Sequence, residues 1–207
     1  MTQFGTRKAA QRQRGPSIEP ADLTLISSPV DFLLAEHLRH RSAMAWLELL
    51  PSMAPSDERR IAAMRLLDFL EHDLVLHVQD EEQDLFPILR VRAEEADQIE
   101  AVIAVLSSEH ESDLELSASV RADLAVLTVD PSIAPVPRFD SFRAFAEGQR
   151  RHLAWENAVV LPLARRRLQS GDLREIAGQM AARRGLPSPV PSAFRSVLSA
   201  LANRERG

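Results

Sequence analysis

Hydrophobic residues recur along most of this chain at steps of three and four, the period of an α-helix. The first such pattern begins at Ser28, with Pro29 and Asp31 in its first turn, and ends before Pro51. A second begins at Ser56, an N-cap residue, and Pro87 predicts a kink near its end. The inward positions are Val30, Leu33, Leu34 and Met44 in the first helix and Ile61, Leu66, Leu70, Leu74, Leu85 and Ile88 in the second.

A third helix is predicted from Glu94 to Leu127, and three prolines then predict a linker between Asp130 and Pro137. The fourth helix is predicted from Arg138 to Leu168, with Gly171 at the position after its C-cap. The inward positions of the third helix are Ile99, Ile103, Leu106, Leu114 and Val120.

Four long helices with short connections predict an all-α fold, an antiparallel up-and-down four-helix bundle over residues 26–170. Two shorter helical patterns, Asp172 to Arg184 and Ser192 to Arg204, follow and are separated by three prolines. We expect this C-terminal helical extension, residues 171–207, to pack outside the bundle or to mediate association into a homo-oligomer.

Composition narrows the chemistry that this fold can carry. The chain has no cysteine and no tyrosine, so a metal must be held by nitrogen and oxygen ligands. No apolar run approaches the roughly 18 residues of a membrane helix, and residues 1–16 lack the apolar core of a signal peptide, so we expect a cytoplasmic protein without a membrane partner.

Charge is uneven along the chain. The net charge is −5, yet residues 1–18 carry four basic side chains and no acid. Because no aromatic residues alternate with these charges, they indicate a disordered basic tail over residues 1–25 and not a nucleic-acid site.

The histidines are the most informative residues. Four of the six fall on inward stripes, one in each long helix: His37, His77, His110 and His152. A glutamate follows two of them after four residues, in His77-Val-Gln-Asp-Glu81 and His152-Leu-Ala-Trp-Glu156. Four residues are about one helical turn, so each imidazole and carboxylate share one face.

The two halves of the chain repeat this design. Pro87 and Pro162 each follow the glutamate by six residues, so His, Glu and Pro all recur 75 positions later, and the lone histidines recur after 73. Two helix hairpins of the same design predict a pseudo-twofold bundle with all ligands at one level.

Four imidazoles and two carboxylates suit iron, and also zinc, manganese or copper. If Glu81 and Glu156 each bridge two ions, every ion receives four bonds from the protein. An oxo or hydroxo bridge adds a fifth, which leaves a position for a diatomic molecule or peroxide. An iron pair can be oxidised without stranding charge, because an oxo dianion offsets the two added positive charges.

At these residues the chain resembles the hemerythrin-like family of HHE cation-binding domains. The matching elements are Glu36-His37, His77xxxGlu81 with Leu85-Phe86-Pro87, Glu109-His110, and His152xxxGlu156 with Leu161-Pro162. The resemblance covers about residues 28–170 and implies a four-helix bundle with a non-haem di-iron centre and bridging carboxylates.

The chain departs from the oxygen carriers of that family. The carriers have a fifth histidine, in an HxxxH arrangement on the third helix, whereas Leu114 stands four residues after His110. The fourth helix carries HxxxE, where the carriers use a more distant aspartate. The resemblance therefore implies sensing, stress defence or iron handling rather than reversible oxygen carriage.

Other polar residues flank these positions. Asp73, four residues before His77, is either an acceptor that orients that imidazole or a solvated acid. His40 and Arg41 lie one turn beyond His37; we interpret them as a surface pair, with an approach of His40 to the site as the alternative. His72 is expected to point away.

Three functions are compatible with these residues. The first is a di-iron protein that binds oxygen, nitric oxide or peroxide. The second is a di-iron peroxidase or oxidase, which needs a proton donor such as Asp73, His40 or a water. The third is a metal-free helical interaction module, which metal analysis distinguishes from the other two.

Overall fold

Five helices make up the computed structural model, which describes residues 18–133 and 139–187. Within those residues there is no β-strand, so the predicted all-α class is confirmed for them. The helices are α1 (Pro29–Leu49), α2 (residues 57–92), α3 (Ile99–Val129), α4 (residues 140–167) and α5 (Ser170–Arg183). Short 3-10 turns occupy Leu23–Ser27, Leu50–Ser52 and Glu95–Asp97.

Local sequence signals set the helix starts. Pro29 opens α1, and the Ser56 hydroxyl accepts a hydrogen bond from the Arg59 backbone N–H at 3.2 Å, as predicted. The predicted start of α3 at Glu94 is wrong, because Gln98 takes a left-handed conformation with φ 48° and the helix begins after it. The chain also turns at Leu168 and Gln169, so Gly171 lies inside α5 instead of ending α4.

Helices α2 and α4 are not regular α-helices. Both contain π-helical segments, at Phe69–Asp73 and Asp80–Leu85 in α2 and at Glu156–Val160 in α4. Two of these segments end immediately before the turns that contain Pro87 and Pro162. The sequence predicted a kink at Pro87, and the structure places a π-helical segment, a widened turn, immediately before the turn of each proline.

Two hydrophobic cores fill the bundle, one toward each end. The first joins the starts of α1 and α3 to the ends of α2 and α4. The second joins the opposite ends of the same helices. Successive helices therefore contribute opposite ends to each core. The first core includes Leu33, Phe86, Leu89, Ile103, Leu106, Leu161 and Ala164, and the second includes Met44, Leu47, Leu66, Phe69, Leu124, Phe142 and Phe145.

Two predicted inward positions are exposed. Leu114 is 68% exposed and Ile61 is 45% exposed, so their assignment to the core is wrong. In α3 the inward positions are separated by alternating steps of four and three residues, at Leu106, His110, Asp113 and Ser117. This spacing places Asp113, and not Leu114, on the inner side. In α2 the neighbouring Ala62 and Ala63 take the inner side.

Helix α5 packs directly onto the bundle. Its Ile176, Met180 and Ala181 belong to the first core. At its C-terminal end, Arg183 and Arg184 pair with Asp80 and Asp84, two buried carboxylates of α2. Arg184 Nη2 lies 2.6 Å from an Asp80 oxygen, and Arg183 Nη2 lies 2.9 Å from an Asp84 oxygen.

The structure describes part of the predicted N-terminal tail and part of the predicted C-terminal extension. Residues 18–25 include the beginning of the Leu23–Ser27 turn, so that part of the predicted tail has a defined conformation. Residues 1–17, the linker residues 134–138 and the predicted helix from Ser192 to Arg204 lie outside the described residues. Among the helices that the structure describes, none is both long and apolar enough to cross a membrane.

Candidate metal centre

The six histidines and glutamates predicted as ligands meet between the two cores. Each histidine lies, along its own helix, between the residues given to one core and those given to the other. Two groups result, and in each the ligand atoms lie within 4.8 Å of one another. The groups are His37, His77, Glu81 and Glu156, and Glu81, His110, His152 and Glu156. The two glutamates belong to both groups, which is the sharing that two bridged ions require.

The distances within the cluster link all four helices. His77 Nε2 lies 3.2 Å from Glu81 Oε1, and His152 Nε2 lies 3.1 Å from Glu156 Oε1. The first helix joins through His37 Nε2, which lies 3.4 Å from Glu156 and 3.6 Å from Glu81. The third joins through His110 Nε2, which lies 3.5 Å from Glu81 Oε2.

The donor atoms of this cluster fit a bound cation. Both oxygens of Glu81 and of Glu156 are buried without a hydrogen-bond partner, and so is Nε2 of three histidines, His37, His77 and His152. An unpaired carboxylate in a protein interior costs several kcal/mol in lost solvation. Two such carboxylates facing four imidazoles are an arrangement that a pair of metal ions would satisfy.

Three of the histidines are held through their other ring nitrogen. His110 Nδ1 is 2.7 Å from Glu82 Oε1, and His37 Nδ1 is 2.9 Å from Asn157 Oδ1. His152 Nδ1 is 2.9 Å from Glu109 Oε2. An Nδ1–H that donates to these oxygens leaves Nε2 free to face the cluster.

Sequence reasoning missed these supporting residues, although a signal for them was present. Glu82 and Asn157 directly follow the two shared glutamates, and Glu109 directly precedes His110. The same positional relation recurs in both halves of the repeat. An acceptor side chain adjacent to each ligand could therefore have been proposed.

Electrostatics inside the cluster favour protonated histidines when no cation is present. Burial opposes the charge on His77, but the carboxylates of Glu81, Glu156 and Glu36 together outweigh burial and raise its pKa to about 9. For His152, burial is likewise outweighed by Glu156, Glu81 and Glu109 together, and the pKa rises to about 10. A metal ion at either ring must therefore displace a proton near neutral pH.

The interpretation of His40 as a surface residue is wrong. Its side chain is fully buried, and its ring centroid lies 4.3 Å from that of His77 and 4.9 Å from that of Phe69. Burial, with His77 and His37 close by, holds the pKa of His40 well below its usual range. Both of its nitrogens lack a hydrogen-bond partner. Arg41, its predicted companion, is exposed.

Neither Asp73 nor His72 belongs to the groups of possible metal ligands among the described residues. Asp73 Oδ2 accepts a hydrogen bond from Arg39 Nη2 at 2.8 Å, whereas His77 Nδ1 has no partner, so Asp73 does not orient that imidazole. His72 is exposed beside Asp68, as expected.

Residues 28–164 match the family model of the hemerythrin HHE cation-binding domain. This match covers more than half of the chain. The chain belongs to the hemerythrin HHE family. All six clustered residues lie within the hemerythrin-matching segment, whereas α5 lies beyond its end. The sequence has no significant match among curated proteins.

The third helix of this hemerythrin-family chain differs from an HxxxH arrangement in structure as well as in sequence. Leu114 points to solvent, and the inward residue beside His110 is Asp113. Asp113 Oδ2 accepts a hydrogen bond from Gln149 Nε2 at 2.7 Å, and burial raises its pKa. A carboxylate therefore occupies the inner side of α3 one turn beyond His110.

Proposed function

We propose that this chain is a non-haem di-iron protein that binds a small ligand, namely oxygen, nitric oxide or peroxide, for sensing, stress defence or iron handling. The observation that carries the proposal is the set of buried donor atoms without partners at Glu81, Glu156 and the histidines around them. Membership in a cation-binding family supports it. The alternating cores support an antiparallel up-and-down four-helix bundle as the scaffold.

The grouping of the ligands suggests how two ions would be held. His37 and His77 would bind one ion, His110 and His152 the other, and Glu81 and Glu156 would be shared. Zinc or manganese could be held by the same donors. When bound, a pair of irons supplies one-electron redox chemistry and a coordination position for a small ligand.

The side chains around the cluster have distinct tasks in this proposal. Glu82, Asn157 and Glu109 hold three imidazoles so that Nε2 faces the cluster. The two hydrophobic cores exclude water from above and below. Because the four metal-facing histidines come from four different helices, the folded bundle preorganises the site.

Metal analysis tests the proposal. We expect about two irons per chain in protein made with adequate iron, since six ligands of this kind satisfy two ions. Glu81→Ala and Glu156→Ala should each lose both irons, because each glutamate is shared. His72→Ala is the matched control, since His72 is exposed, and it should keep the wild-type content. Fewer than one metal per chain in the wild type, or two irons in Glu156→Ala, would contradict the proposal.

Ligand binding is tested on the ferrous protein under anaerobic conditions. We expect nitric oxide to bind, and air to oxidise the irons without reversible oxygen uptake, because α3 carries no fifth histidine. Reversible oxygen uptake would assign the protein to the carriers. Absence of any small-ligand binding would show a purely structural metal site.

A further inference from the structure

One surface pocket is lined in part by a buried acid of α1. It has a volume of about 630 Å³ and is lined by exposed residues such as Arg65 and Asp68 and, at its inner side, by Glu36 and Arg39. Glu36 is only 2% exposed and belongs to a third group of possible ligands, with His40 and His77. The pocket therefore reaches one member of this group, Glu36.

The third group has the composition of a transition-metal site. One ligand atom from each of Glu36, His40 and His77 lies within 4.8 Å of the others, and all three residues are buried. Both nitrogens of His40 and the Nδ1 of His77 are buried without a hydrogen-bond partner. Two imidazoles and one carboxylate form a nitrogen and oxygen donor set that suits a divalent transition-metal ion.

We propose that Glu36, His40 and the Nδ1 of His77 form a loading site, at which a divalent transition-metal ion binds on its way from the pocket to the dinuclear cluster. The proposal deepens the metal-binding function proposed above. His77 joins the two sites, because its Nε2 lies 3.2 Å from Glu81 in the cluster and Nδ1 is the nitrogen that remains for Glu36 and His40.

The equivalent positions in the second half of the repeat differ from those of the loading site. The residues 73 positions after Glu36 and His40 are Glu109 and Asp113. Glu109 is engaged with His152, and Asp113 with Gln149. In the second half the polar groups satisfy one another, whereas in the first half the two histidines are left with open nitrogens.

In the metal-free protein, Arg39 neutralises the Glu36 carboxylate of the loading site. Its guanidinium donates to Glu36 Oε1 at 2.7 Å and to Asp73 Oδ2 at 2.8 Å. An incoming cation can replace the guanidinium at Glu36, while Arg39 keeps Asp73 as its partner. The buried Glu36 carboxylate is then compensated both before and after metal binding.

The test uses cobalt(II) and the full-length chain with both shared glutamates replaced, Glu81→Ala with Glu156→Ala. We expect this protein to retain about one cobalt per chain after dialysis, since the loading site keeps its three ligands. Adding His40→Ala should abolish that binding, whereas adding His72→Ala should not. Absence of cobalt binding without the two glutamates, or equal binding with and without His40, would overturn the proposal.

A kinetic measurement covers the case in which these multiple variants do not fold, as judged by circular dichroism. In the otherwise wild-type chain, His40→Ala should still take up two irons, but roughly tenfold more slowly than His72→Ala. Equal uptake rates would overturn the loading site while leaving the di-iron function intact. A wild-type chain that takes up no iron would instead contradict the di-iron function, and cobalt binding by the folded variants would then decide the loading site.

Discussion

Each metal-facing histidine can present only one ring nitrogen to an ion, and the partner of the other nitrogen decides which one it is. Glu82, Asn157 and Glu109 fulfil this role for three histidines. By the repeat, Glu36 is the equivalent partner for His77, but its carboxylate pairs with Arg39. The four ligands are therefore not equally constrained, because the Nδ1 of His77 has no hydrogen-bond partner among the described residues.

Glu109→Ala should weaken metal binding without removing a ligand. Removing a side chain that hydrogen-bonds a metal-bound histidine typically lowers metal affinity roughly 10-fold to 100-fold. In this variant His152 loses Glu109, the partner of its Nδ1. Competition with a chelator measures the change. Glu111→Ala removes an exposed acid from the same helix and serves as the control. Equal affinities in the two variants would show that Glu109 does not support His152.

The ligand residues could be predicted from the sequence because their spacing is local. His77 with Glu81, and His152 with Glu156, are related by one helical turn whatever surrounds them. The position of Asp73 could not be predicted in this way, because its partner Arg39 lies on another helix. His40 could have been, since it lies three residues after His37 and four before Met44 and so shares their helix face.

At the scale of helices, the widened turn before each of Pro87 and Pro162 contains one of the two shared glutamates. Proline has no N–H for a regular helical bond and crowds the preceding turn. The residue before each proline, Phe86 or Leu161, instead donates its backbone N–H to the carbonyl of Glu81 or Glu156, five residues back. Each shared glutamate is thus the first partner of a π-type hydrogen bond, a feature common at functional sites.

Pro162→Ala should weaken metal binding although residue 162 touches no ligand. Alanine restores an N–H and allows the turn to tighten toward a regular α-helix, which rotates Glu156 relative to His152. We expect affinity to fall roughly tenfold, as for other changes that misplace a ligand. Equilibrium dialysis with iron measures this, and Pro29→Ala, at the first turn of α1, is the control. Unchanged affinity in Pro162→Ala would separate the π segment from metal binding.

A second element-scale prediction concerns the turn between α2 and α3. Hydrogen bonds from Arg167, from the Glu94 backbone and from Arg166 lower the pKa of Asp97 to about 2. A lowered carboxyl pKa stabilises the fold above the unfolded value near 3.8, and the stabilisation is lost as pH falls toward 2.

Urea unfolding of wild type and Asp97→Asn at several pH values tests this effect. We expect the wild type to be more stable by a constant amount above about pH 5 and the difference to shrink as the pH approaches 2. A difference that does not change with pH would show that the charge of Asp97 is not what stabilises the turn.

Helix existence and order followed from the sequence, whereas details inside the helices did not. The late start of α3 depends on the left-handed conformation of Gln98, a residue without a strong preference for it. The outward position of Leu114 depends on a stepwise four-three spacing in which Asp113 pairs with Gln149 on another helix. Such pairings arise only when helices meet.

For the whole molecule, α5 matters because it neutralises buried acids beside the metal cluster. Asp80 directly precedes Glu81, and Asp84 lies three residues beyond it. Arg183 supplies the hydrogen bonds to both Asp84 oxygens, and Arg184 binds Asp80 and lies over the Phe32 ring at 4.9 Å. Residues beyond the segment that matches the family model therefore neutralise buried acids within that segment.

Arg183→Ala should destabilise the metal-free fold by roughly 3 kcal/mol, the usual cost of leaving one partner of a buried ion pair alone. Urea unfolding followed by circular dichroism gives the change. Adding Asp84→Asn should recover part of the loss, because the unpaired charge is then gone. Arg174→Ala, an exposed arginine of the same helix, should have little effect. A loss in Arg183→Ala no larger than in Arg174→Ala would show that α5 contributes only through its apolar face.

The pairing of Asp80 and Asp84 with Arg183 also sets an order of events during synthesis. These partners are about 100 positions apart in the chain. At roughly 5–20 residues per second, a ribosome needs several seconds to make the intervening segment. During that time the acidic segment next to Glu81 lacks Arg183 and Arg184, its partners in the structure. The nascent chain therefore completes the charge balance around its metal ligands last, after all four bundle helices have been made.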